Sequence, residues 1–155
     1  KDDTLEVEIY MKQKTRDLLF ELTVKEGDPN RISNITGTLS GIVGSFDLSS
    51  QRICGEAMNT SFPFARTNDK VTAHTRLLGT TGLKQSLRID LTFTDGSSQT
   101  IENDLTDLLK NFNDDMPTPM YITGDLLTPI EADMTATIVG WENGNEENGE
   151  NIEIY

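Results

Sequence analysis

The strictest constraint in this chain is the run at residues 86–96, SLRIDLTFTDG, in which Leu87, Ile89, Leu91 and Phe93 alternate without a break with Arg88, Asp90, Thr92 and Thr94. Period two puts successive side chains on opposite faces, so the run is a strand with one face buried and the other wet. Asp95-Gly96 follows directly and tolerates the positive φ angles of a tight hairpin, which makes residues 98–102 the returning strand.

The same period recurs elsewhere. Leu5, Val7, Ile9 and Met11 form one set and Leu18, Phe20, Leu22 and Val24 another, and KQKTRD between them reads as a turn joining two strands. GDPN at 27–30 breaks the pattern. ITGTLSGIV at 35–43 resumes it, with Gly37 and Gly41 allowing bends or close sheet approach, and Phe46 and Leu48 extend its apolar face. Residues 49–67 lack sustained periodicity and read as a long covering loop anchored by Met58, Phe62 and Phe64. Val71, Ala73, Thr75 and Leu77 predict another strand. So do MYITGDLL at 120–127, where Gly124 marks a bulge or a close-packing site, and the last core strand from Met134 to Val139. Leu105, Leu108, Leu109 and Phe112 have the spacing of a short helix with Asn103 or Asp104 as its cap, and so short a helix must pack its stripe over a sheet end. Eight or nine strands with one short helix predict an all-β, two-sheet sandwich or barrel.

The length of 155 residues suits one domain, and 20 Thr against 5 Ala favours pleated structure. Residues 1–141 are read as the β-sandwich domain and 142–155 as an acidic, flexible tail. A formal charge of −13 repels phosphate backbones and anionic headgroups, which argues against nucleic acid and polybasic membrane attachment. No apolar run is long enough to span a bilayer, and a chain beginning at Lys1 reads as processed or trimmed.

The residues that carry chemistry are sparse. His74, the only histidine, sits in VTAHTRL and reads as the solvent side of a strand; Cys54, the only cysteine, reads as a buried free thiol with no catalytic context. Asp114-Asp115 reads as a loop after the helix, while Asp125 could face either way. Glu142, Glu146, Glu147 and Glu150 read as a solvated tether rather than a Ca²⁺ site, and no spacing matches a zinc or calcium motif. Asn34-Ile35-Thr36 and Asn59-Thr60-Ser61 match a short glycosylation pattern that matters only in the right secretory system. The expectation is a noncatalytic protein with no catalytic residue, cofactor or metal.

At the carboxy terminus ENGNEENGE holds no apolar residue, and then Asn151, Ile152, Glu153, Ile154 and Tyr155 regain strand alternation. This candidate strand-exchange segment has three fates open to it: pairing with its own sheet edge, disorder, or pairing with a partner.

The paired alternations around Arg16, ITGTLSGIVGSFDLS at 35–49, the aromatics at 62–64, LRIDLTFTDGSSQTIENDLTDLL at 87–109, MYITGDL and the closing WEN together resemble the fimbrillin-like proteins of Bacteroidales. More narrowly, they are similar to the carboxy-terminal domain of fimbrial anchor and accessory lipoproteins, with a related family of unknown function. The resemblance implies a transthyretin-like Greek-key sandwich, usually one of two such domains. It also implies export and attachment to the outer membrane through a lipidated cysteine near the mature amino terminus. Cys54 lies too deep in the domain to be that cysteine, so the anchor would stand on an upstream segment. The function so implied is a cell-surface fimbrial anchor or accessory subunit that pairs with other surface proteins by β-strand addition. The alternative is a carbohydrate-binding sandwich module presenting Trp141, Tyr10 and Tyr121 to a glycan.

Overall fold

The computed structural model describes residues 15–47, 52–81, 83–129 and 135–144. Eight strands appear among them: β1 (Arg16–Glu26), β2 (Ile32–Asp47), β3 (Arg52–Thr67), β4 (Lys70–Leu77), β5 (Ser86–Phe93), β6 (Ser98–Asp104), β7 (Met120–Leu127) and β8 (Thr137–Gly144). The one α-helix among the described residues, α1, is the single turn Thr106–Leu109. The candidate strand at Leu5 to Met11 and the segment Asn151 to Tyr155 lie outside the described residues.

The strand order is β6-β5-β2-β3-β4-β1-β7-β8. β6, β5, β2 and most of β3 make one sheet; β4, β1, β7 and β8 make the other. β3 joins them, because Ala65, Arg66 and Thr67 leave β2 and pair with Thr72, Val71 and Lys70 of β4. Neighbours are antiparallel except β1 and β7, which run side by side in the same direction. This is the expected transthyretin-like β-sandwich, close to a closed barrel.

Alternation explains what fills it. Leu18, Phe20 and Leu22 of β1, Leu87, Ile89 and Leu91 of β5, and Ile122 of β7 are fully or almost fully buried in the core between the sheets. Phe20 stacks on Phe62 of the opposite sheet, with centroids 5.6 Å apart and planes 9° from parallel. The hairpin at Asp95-Gly96 forms as the dipeptide predicts, with Gly96 at φ 91° and Asp95 Oδ1 accepting from the Ser97 amide at 2.9 Å.

Three expectations need correcting. Residues 49–67 are not a covering loop: from Arg52 to Thr67 they form β3, paired along β2 from Ile35↔Phe64 to Asp47↔Arg52. Phe62 and Phe64 are buried there as inward residues of a strand. Pro63 between them masked the alternation, and β3 tolerates a proline because β4 flanks it only from Ala65 onward. The helix expected over Leu105 to Phe112 is one α-turn followed by a 3-10 turn at Phe112–Asp114, although Leu105, Leu109 and Phe112 bury the predicted stripe. The cap position falls on Leu105, without a side-chain cap bond, and not on Asn103 or Asp104; Asp104 Oδ1 accepts from the Thr106 amide at 2.9 Å from one residue further upstream. The last strand starts later and runs further than Met134 to Val139, with Ala136 and Ile138 buried as expected and pairing continuing through Glu142 to Gly144.

Candidate interaction edges

Among the described residues, β6 and β8 end the strand order, each paired on one side only. They are bridged to each other through side chains. The Ala136 amide donates to Gln99 Oε1 at 2.6 Å, and Trp141 Nε1 donates to Asn103 Oδ1 at 3.0 Å. A strand edge presents unpaired amides and carbonyls, which is the standard chemistry for taking another strand.

The sequence candidates fall at separate places. Trp141 turns inward, edge-on to Phe20 at 6.5 Å and 77°, above Gly124, so its ring packs against the core instead of standing free as a sugar platform. Tyr121 is half-buried on the outward face of β7, beside Leu19. Tyr10 lies outside the described residues. Cys54 pairs through its backbone with Ser45, whereas His74 pairs with Leu19 in the other sheet, so the two are not brought together. Asp125 sits on the outward face of β7 opposite Thr23 and Val139. No group of three or more His, Cys, Asp and Glu is arranged to hold a metal among the described residues. No helix there is long and apolar enough to cross a membrane.

His74 is on an outward face, as expected, but is engaged there. Its Nε2 lies 2.9 Å from Asp17 Oδ1, and Arg76 Nε donates to the same oxygen at 2.9 Å. Burial pushes the Asp17 carboxyl up, but the hydrogen bonds to His74 and Arg76, reinforced by their charges, outweigh it and hold the group below its ordinary value.

Two further residues of β1 were invisible to pattern reading. Leu19 and Glu21 alternate with the core residues and so point outward, yet Leu19 is fully buried and Glu21 is only 6% exposed. Glu21 Oε2 is buried and has no hydrogen-bond partner among the described residues. An outward position on a two-layer sandwich is normally wet, so polarity pattern alone could not flag this spot.

Comparison with known proteins places the fold. The chain is similar to the fimbrial anchor protein Mfa2 from Porphyromonas gingivalis at 15% identity and a TM-score of 0.56, covering 85% of this chain and 47% of that one. It is similar to a candidate adhesin from Bacteroides ovatus at 14% identity and a TM-score of 0.55, over 80% of this chain and 48% of that one. A candidate cell adhesion protein from Bacteroides fragilis aligns at 16% identity and a TM-score of 0.54, over 85% and 46%. The chain thus spans about half the length of these structures. No protein-family model matches it. No curated protein matches it either.

Proposed function

We propose that this domain is a structural or adhesive component of a cell-surface fimbrial assembly, an anchor or accessory subunit working through β-strand pairing. The observation that carries this reading is that β6 and β8, among the described residues, are each paired on one side only, on a sandwich whose fold is similar to that of a fimbrial anchor and two candidate adhesins. Affinity would come from backbone hydrogen bonds, and register from alternating side chains. Asn151, Ile152, Glu153, Ile154 and Tyr155 supply the exchanged segment, since Ile152 and Ile154 fall on one side of an extended chain. Export and a lipid anchor on an upstream segment belong to the same reading.

The test is sedimentation and partner pull-down on the whole chain and on a chain shortened by residues 150–155. Loss of assembly with an unchanged far-ultraviolet spectrum supports strand exchange. Identical assembly in both removes it.

A further inference from the structure

We propose that residues 79–81 form a strap that fixes the ribbon made by residues 42–47 of β2 and 52–58 of β3 to the sandwich, with the carboxamide of Asn113 as its fastener. Fastened, the ribbon is a rigid arm; unfastened, strap and ribbon open together as one unit.

The pairing shows why the ribbon needs a strap. β5 pairs with β2 from Ile32 to Leu39, and β4 pairs with β3 from Ala65 to Thr67, whereas β2 and β3 continue to pair with each other as far as Asp47↔Arg52. A two-stranded ribbon is marginal in water by itself, and this one is interrupted by register shifts between Leu39 and Ile42 and between Val43 and Ser45. The connection from β4 to β5 takes over along β2 where β5 stops. Ile42 and Thr80 form an antiparallel bridge, the Val43 amide donates to the Gly79 carbonyl at 3.0 Å, and the Thr81 amide donates to the Gly41 carbonyl at 3.0 Å.

One side chain finishes the outer edge of the strap. The Thr80 amide donates to Asn113 Oδ1 at 2.9 Å, and Asn113 Nδ2 donates to the Thr80 carbonyl at 2.9 Å. A carboxamide offers the same acceptor and donor as a peptide group, so Asn113 stands where the next strand of a sheet would stand. Asn113 is itself held in place. It belongs to the 3-10 turn Phe112–Asp114, in which the Phe112 side chain is fully buried and the Phe112 carbonyl accepts from Arg16. The fit has no slack: a β-carbon on Gly79, at φ 150°, would lie 2.7 Å from Asn113 Oδ1. The far end of the connection is pinned by buried Gln85, whose Nε2 donates to the Gly41 carbonyl at 3.2 Å. Thr80 is buried too, so without the carboxamide its amide and carbonyl regain partners by lifting the strap into water.

Native-state hydrogen exchange on the whole chain tests the proposal, with Asn113→Ala removing the fastener and Gly79→Ala displacing it from the other side. In the parent chain the amides of Val43, Thr80 and Thr81 and the paired amides of residues 43–47 and 52–57 should share one opening transition in mild denaturant, ahead of Ile89 and Leu91 in β5. In either variant this set should exchange at least about tenfold faster than in the parent, with Ile89 and Leu91 unchanged. Strap amides at parent rates in both variants would overturn the role of Asn113. Faster strap amides with ribbon amides at parent rates would overturn the coupling, and equal acceleration of β5 would overturn the strap as a local unit. Should both variants fail to fold, the parent chain decides alone: separate opening transitions for strap and ribbon overturn the proposal, and a shared one supports it.

Discussion

The guanidinium of Arg16 lies 5.4 Å from the centroid of the Phe112 ring, and its Nη1 donates to the Phe112 carbonyl oxygen at 2.7 Å. The same side chain reaches the carbonyls of Asn111, at 3.3 Å, and Thr118, at 2.5 Å. The first residue of β1 therefore ties down the irregular connection between β6 and β7, and holds Phe112 over the end of the core. The bonds leave from two nitrogens held apart in one plane, Nε to Thr118 and Nη1 to Asn111 and Phe112, a spacing that the single nitrogen of a lysine ammonium does not reproduce.

Arg16→Lys is accordingly expected to lower unfolding free energy by about 1–3 kcal/mol. Amides of residues 111–118 should exchange faster in the variant than those of β5. A loss under about 0.5 kcal/mol in equilibrium denaturation would mean that the connection holds itself.

The Asp17–His74–Arg76 contact predicts a pH dependence. A carboxyl whose folded pKa lies below its ordinary 3.8 contributes stability that is present above that value and is lost as pH falls through the lower, folded one. Asp17→Asn should therefore be less stable than the parent at neutral pH. The gap between the two chains should narrow as pH drops below the ordinary carboxylate value. Parallel denaturation curves across acid pH check it; a gap that is constant with pH would sink the electrostatic account.

These two contacts mark the boundary of what could be read from residues alone. Alternation at Leu87 to Phe93 and at Leu18 to Val24 identified strands because each face of a strand meets one environment along its length. The helix stripe at Leu105, Leu109 and Phe112 was legible for the same reason with a different period. β3 was not, since the cue at Phe62 and Phe64 is interrupted by Pro63, and its regularity comes from β2 pairing along it over both sheet ends. Arg16 reads as one charged residue before an apolar run; its three carbonyl partners are 95, 96 and 102 residues away in sequence. Asn103, one of two cap candidates, instead holds Trp141. The order of the strands is a property of topology that no local pattern carries, and among the described residues it is β6 and β8 that end it.

Glu21 offers a test of the outward face. A buried carboxylate oxygen with no partner among the described residues is unfavourable by itself. Glu21→Leu, which continues the apolar surface of Leu19, should raise stability by about 1 kcal/mol. Chemical denaturation of the two chains at neutral pH decides the matter. A decrease of that size would show that Glu21 has a cationic or hydrogen-bonding partner in solution.

Gly124 and Trp141 give the sharpest packing prediction. A β-carbon on Gly124 would lie 3.1 Å from Ile138 Cγ2, 3.2 Å from Trp141 Cε3 and 3.3 Å from Leu22 Cδ2, each tighter than ordinary contact. All three neighbours are held: Leu22 and Ile138 lie in the core, and the Trp141 ring is fixed by its bond to Asn103 and its edge contact with Phe20. Interiors packed this closely yield little, so Gly124→Ala should cost about 1–3 kcal/mol despite adding one methyl group. Trp141→Leu removes the ring and its hydrogen bond, and alone should cost about 3–4 kcal/mol. If crowding against the ring is the cause of the first loss, the double variant should be more stable than the sum of the single losses by at least about 0.5 kcal/mol. Strict additivity across that double-mutant cycle would place the strain at Leu22 and Ile138 instead, and would deny Gly124 its role in seating the tryptophan against the core.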